Sequence, residues 1–116
     1  MNSAVEYYKL FKKMKIAIAT VDKKEDAEIS ERGARAPYYL VFSEKGKLIE
    51  TVSNPFAVGG GDAGFAAAKM LADKGVDVFA AGVIGGNMSG ALEERGIKYY
   101  EKSGTAKQAA QEIIHK

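Results

Sequence analysis

A chain of 116 residues with 47% apolar content holds enough hydrophobic surface for one core and is too short for two. Its formal charge of +2 sits in the first thirteen residues, where Lys9, Lys12 and Lys13 outnumber Glu6, leaving fourteen charges of each sign from Met14 to Lys116. That balance argues against the concentrated basic face of a nucleic-acid binder, no apolar run reaches the ~20 residues that span a bilayer, and the lack of cysteine removes disulfides and thiolate metal ligands.

The amino end lacks the apolar core of a secretory signal, so a cytoplasmic protein is expected. Ser3-Ala4-Val5-Glu6 fits a capping box, with Val5, Tyr8 and Phe11 on one side of a short helix. Residues 1–13 read as an extension bearing that helix, and 14–116 as a single domain. Lys15 to Thr20 alternates large and small apolar residues with no interior charge, which predicts a central strand covered on both faces. Asp22 to Glu31 is polar and charged and reads as a solvated loop rather than a carboxylate metal site. Tyr38 to Phe42 and Lys47 to Val52, joined by Ser43-Glu44-Lys45-Gly46, predict a hairpin.

Next comes Asn54-Pro55-Phe56-Ala57-Val58-Gly59-Gly60-Gly61-Asp62-Ala63-Gly64, the stretch around which the rest is organised. Asp62 is expected to cap a helix running from Phe65 to Lys74 and ended by Gly75, with Phe65, Ala68, Leu71 and Ala72 on its buried face. Val76 to Gly82 follows as a buried strand, linked through that helix by a parallel crossover. A second glycine turn, Gly82 to Asn87, leads into a helix capped by Asn87 or Ser89. Ile97 to Glu101 is the last strand. Thr105-Ala106-Lys107-Gln108 opens a final helix that buries Ala106, Ala109, Ala110, Ile113 and Ile114. Together these predict an α/β fold, a mixed sheet with helices on both faces.

Two glycine-rich helix entrances are thus expected, and exposed N–H groups beside bare backbone suit an anion. Gly59-x-Gly61-x-x-Gly64 matches the dinucleotide fingerprint in letters, but it follows no central strand and lacks a downstream acid for a ribose. The first strand carries no carboxylate for a two-metal nuclease, and the only histidine, His115, lies at the end of a helix, away from any serine it could activate.

Met14 to Thr20, Ile29-Ser30-Glu31-Arg32-Gly33-Ala34-Arg35-Ala36-Pro37-Tyr38-Tyr39-Leu40-Val41, Asn54-Pro55, the glycine loop, Gly75 to Val78, Ala81-Gly82-x-x-Gly85 and Gly96 to Tyr100 together resemble the nitrogenase accessory factor family, the NifX and NafY type of dinitrogenase iron-molybdenum cofactor biosynthesis domain. The order and spacing of these segments, more than any one of them, carry the likeness. The resemblance implies a three-layer α/β/α ribonuclease H-like motif with a five-stranded mixed sheet. It further implies a non-catalytic carrier of iron-molybdenum cofactor or an iron-sulfur precursor, with a cluster donor or acceptor protein as partner. Members typically show Ser-Glu-His-Phe-Gly-Arg-Ala-Pro where this chain has Ser30 to Pro37, so Arg32 replaces the histidine and Arg35 keeps the arginine. A guanidinium has no lone pair for iron, and a cluster would have to be held through its negative charge, without thiolate ligands. The residues expected to do this are Arg32, Arg35, Gly59, Gly60, Gly61, Gly64, Gly85, Gly86 and Asn87. A small-anion or nucleotide module on the same fold and a protein-interaction module without a cluster are the alternatives.

Overall fold

The computed structural model describes residues 13–115; the helix expected near the amino end lies outside them. Five strands form one sheet: β1 (Lys15–Thr20), β2 (Tyr38–Ser43), β3 (Leu48–Ser53), β4 (Val78–Ala81) and β5 (Lys98–Glu101), in the order β3-β2-β1-β4-β5. β1 pairs antiparallel with β2 and parallel with β4, β2 pairs antiparallel with β3, and β4 pairs parallel with β5. Four strands therefore run the same way and β2 alone opposes them, the mixed three-layer arrangement that the resemblance implies. Three helices complete the described chain: α1 (Ala63–Asp73), α2 (Gly86–Glu94) and α3 (Ala106–Ile114).

Strand periodicity divides the core in two. From β1, Ala17 and Ala19 join Tyr39, Val41, Phe79 and Ala81 under α1 and α2, where Leu71, Met88 and Leu92 meet them. Ile16 and Ile18 point the other way, to Leu40, Phe42, Val78 and Ala80, and α3 covers them with Ala106, Ala109, Ala110 and Ile113. β1 is central and buried on both faces because none of its inner side chains needs water. The Thr105 hydroxyl oxygen accepts from the Gln108 backbone amide, and Gln108 Oε1 accepts from the Thr105 amide in turn, so the expected capping box opens α3.

Two expectations about α1 fail. Phe65 is 50% exposed, and Ala63 and Ala67 take its place beside Ala68 and Leu71 on the buried face. The helix comes close through small residues, so its largest side chain is not its core contact. A Cβ on Gly64 would stand 2.9 Å from the Met88 amide nitrogen, which shows how near α1 and α2 approach. Nor does Asp62 cap α1 with its side chain. It has a left-handed backbone (φ 33°), whereas a capping side chain folds over the first turn from an extended one.

Since the four like-directed strands end at one rim and every helix starts after such an end, all three helix amino termini lie there. The segment 30–33 crosses this rim. The Gly82 amide donates to the Ser30 carbonyl at 2.8 Å, Val83 N to Glu31 O at 2.9 Å, and Gly33 N to Val83 O at 2.9 Å. Gly82 is required at this crossing, because a Cβ would lie 2.7 Å from the Glu31 Cα.

Candidate functional site

The openings of α1 and α2 lie side by side and share a cavity of about 520 Å³ lined by Arg35, Gly61, Asp62, Gly64, Gly85, Gly86 and Asn87, with Ala34, Ala63 and Met88. A second cavity of about 270 Å³ lies on the other side of Arg35, bounded by Phe56, Val58, Gly60, Gly61, Asp62, Ala63 and Ala66. Arg35 and residues 61–63 are common to both. Six of the nine residues singled out in the sequence thus meet around the larger space, and Gly60 joins from the smaller one. Gly59 lines neither.

Arg32 is also apart. Its segment is held against Val83 by the crossing described above, its backbone exchanges bonds with the Ser30 hydroxyl, and the residue is exposed and lines neither cavity. Arg35, half-buried between the loops, gives a guanidinium proton to the Phe56 carbonyl at 3.2 Å. Among the described residues, neither arginine forms an ion pair with the acidic segment upstream.

The second helix opens differently from expectation. Gly85, in extended conformation, is its cap; Asn87 lies inside the first turn, and the Ser89 hydroxyl donates back to the Gly86 carbonyl at 3.1 Å. Asn87 therefore reaches the cavity as a lining residue rather than a cap. Each opening presents first-turn N–H groups with no acceptor inside the helix. The two macrodipoles bring roughly half a positive charge each to the cavity, and Arg35 adds a full one against the single carboxylate of Asp62. The balance is about one net positive charge, which attracts a small anion.

A separate cavity of about 350 Å³, past the ends of β4 and β5, has the opposite character. Glu28, Glu31 and Glu101 line it with Lys102, and Glu101 already accepts from the Ile84 amide at 2.9 Å. It repels the charge that the glycine openings attract.

The polar groups of the site are the Arg35 guanidinium, backbone amides, a carboxamide and one carboxylate; neither imidazole nor thiolate lines it. Among the described residues no three His, Cys, Asp or Glu side chains gather to hold a bare metal ion. His115, at the end of α3, is paired with Gln111 and lies outside these cavities.

One residue of importance escaped the sequence reading. Asn54 is buried beneath the site, its side chain bonded to both flanking loops. An Asn-Pro pair ahead of a glycine run reads as turn chemistry, and nothing local reveals that its amide reaches back some twenty residues.

Residues 14–116 match the model of the family described as "Dinitrogenase iron-molybdenum cofactor". The chain belongs to that family. No curated protein matches the chain. Among solved structures it is similar to the apo form of the orange protein from Desulfovibrio gigas, with 28% identity, 88% of each chain covered and a TM-score of 0.82. It is also similar to a Thermotoga protein described as a candidate NifB protein of the DUF35 family, with 30% identity over 88% of this chain and 87% of that one, TM-score 0.72. A Methanocaldococcus jannaschii protein described as a candidate dinitrogenase, at 16% identity over 90% of this chain and 91% of that one, TM-score 0.63, shares the fold. Membership of this family relates the chain to iron-molybdenum cofactor. Among the described residues, no helix is long and apolar enough to cross a membrane.

Proposed function

We propose that the protein is a non-catalytic carrier that binds an iron-molybdenum or iron-sulfur cofactor, or a related small anion, between the openings of α1 and α2 and passes it to a partner protein. The observation that supports this most is the convergence of Arg35 and two helix amino ends on one cavity, in a chain of the dinitrogenase iron-molybdenum cofactor family. The cargo is held by charge and hydrogen bonds: the Arg35 guanidinium and first-turn amides meet its sulfides or its carboxylate oxygens, and Gly61, Gly64, Gly85 and Gly86 let the backbone come close. Such a grip leaves the metals of the cargo coordinatively untouched, which suits release to an acceptor. Residues 14–116 are the unit that does this, and Arg32 and Gly59 have no direct part.

Anaerobic titration with extracted iron-molybdenum cofactor, and separately reconstitution with iron and sulfide, test the reading. After desalting, the protein is expected to keep visible absorption and metal near one cluster per chain. A colourless, metal-free protein contradicts the carrier role, and a thermal shift with phosphate or nucleotide in its place marks a small-anion module instead.

A further inference from the structure

The site's two loops, one bearing Arg35 and the other leading into the glycine run, are joined by several hydrogen bonds with one buried side chain at their centre. Asn54 is 8% exposed. Its Nδ2 lies 2.9 Å from the Ala34 carbonyl and 2.8 Å from the Ala36 carbonyl, one proton to each, so it grips the residues on both sides of Arg35. The Tyr39 hydroxyl stands 3.2 Å from the same nitrogen and gives its own proton to the Gly33 carbonyl at 2.6 Å. On the other side, Asn54 Oδ1 accepts from the Phe56 amide at 2.9 Å, and Phe56 offers its carbonyl to the Arg35 guanidinium at 3.2 Å. The Asn54 amide itself donates to the Pro37 carbonyl at 3.0 Å. A closed circuit results: Asn54 to Ala34 and Ala36, through Arg35 to Phe56, and back to Asn54. Burial holds the Tyr39 hydroxyl far above its ordinary titration range, so its donor proton stays in place.

We propose that Asn54 is the positioning residue of the anion site, fixing Arg35 relative to the glycine run before any ligand arrives. The inference deepens the carrier reading and rests on it for what the preset geometry serves. A carboxamide is the side chain that meets both demands, since its nitrogen donates to the Arg35 loop while its oxygen accepts from the glycine loop. Holding the guanidinium in place beforehand spares the ligand the entropy of ordering it.

Asn54→Ser separates the two halves of this role. A serine hydroxyl still accepts from an amide two residues on, keeping the turn into Phe56, but is too short to reach Ala34 and Ala36. In the ligand-free full chain, the variant is expected to lose order at Arg35 Nε in NMR relaxation and to exchange the backbone amides of residues 33–36 faster. Its affinity for extracted iron-molybdenum cofactor should fall about three- to tenfold, the effect of ordering one side chain and its loop upon binding. Ile113→Val, in the core on the opposite face of the sheet, supplies the control for general destabilisation and should bind like the parent. Tyr39→Phe, which retains the ring in its buried place, should loosen residues 33–36 to a smaller degree. If Asn54→Ser leaves the order of Arg35 unchanged, or loosens it while affinity stays at the parental value, or if Ile113→Val weakens binding as much, the positioning role is overturned. Should the parent chain itself not bind the cofactor, the carrier reading falls, and the order of Arg35 in the ligand-free variant alone decides whether Asn54 sets it.

Discussion

Arg35→Ala is expected to lower affinity for the anionic cargo by about ten- to a hundredfold, the ~1.5–3 kcal/mol of a hydrogen bond to a charged partner in a partly enclosed site. No other lysine or arginine lines either cavity, so no neighbour takes over its charge. Folding should suffer little, because the one bond given up within the protein runs to the Phe56 carbonyl at 3.2 Å on a half-exposed loop. Arg32→Ala is the matched comparison. That residue lies outside the cavities, so its removal should leave affinity within about twofold of the parent at physiological ionic strength, where exposed charges are screened over ~8 Å. Anaerobic titrations of both variants beside thermal melts give the answer. Equal losses of affinity would mean that the charge acts through the general field, and a large fall in melting temperature for Arg35→Ala would make it a structural residue.

Gly64→Ala and Gly64→Val should separate the two helix openings. The added Cβ would stand 2.9 Å from the backbone nitrogen of Met88 and 3.3 Å from its Cα, neither of which can rotate away. Overpacking of this sort costs about 1–3 kcal/mol. Alanine recovers up to ~1 kcal/mol through helix propensity, and valine recovers less. The alanine variant should therefore melt a few degrees below the parent and the valine variant well below it, at roughly 4–8 °C per kcal/mol for a domain of this size. Binding should fall along with stability, because the cavity depends on both openings staying adjacent. A valine variant with parental melting temperature and parental affinity would show that α1 and α2 need not be so close.

The middle of the sheet could be read directly because β1, β2 and β4 are buried on both faces. Ile16 and Ile18 with Ala17 and Ala19, and the run Tyr39 to Phe42, leave no polar position to be explained, and Ser43 to Gly46 turns one strand into the next. The capping box at Thr105 was equally legible, since both partners lie within four residues. Ala63 and Ala67 were harder to see: a face of alanines has a weak apolar signal, and Phe65 appeared to mark the core when it faces solvent. A capping role for Asp62 depends on an extended backbone, whereas it continues the left-handed conformation of Gly61 (φ 60°) with a φ of 33°. The division between Arg32 and Arg35 could not be read at all. It arises from the pairing of residues 30–33 with Gly82 and Val83, a contact between segments some fifty positions apart, as the Asn54 circuit arises from contacts across about twenty.

The family resemblance narrowed the fold and the class of ligand, whereas charge placement within the site comes from the geometry. Acidic side chains collect around the cavity past β4 and β5, and positive ends of helices collect around Arg35. The same rim of the sheet thus holds two surfaces of opposite character.

The most direct measurement is an NMR map of backbone amides and Arg35 Nε during anaerobic addition of extracted iron-molybdenum cofactor. Concerted shifts or broadening at Gly60 to Phe65, Gly85 to Met88 and Arg35, with little change at Arg32, Glu31 and Glu101, are predicted. Perturbation centred on the acidic cavity, or on only one of the two helix openings with Arg35 silent, would contradict the account.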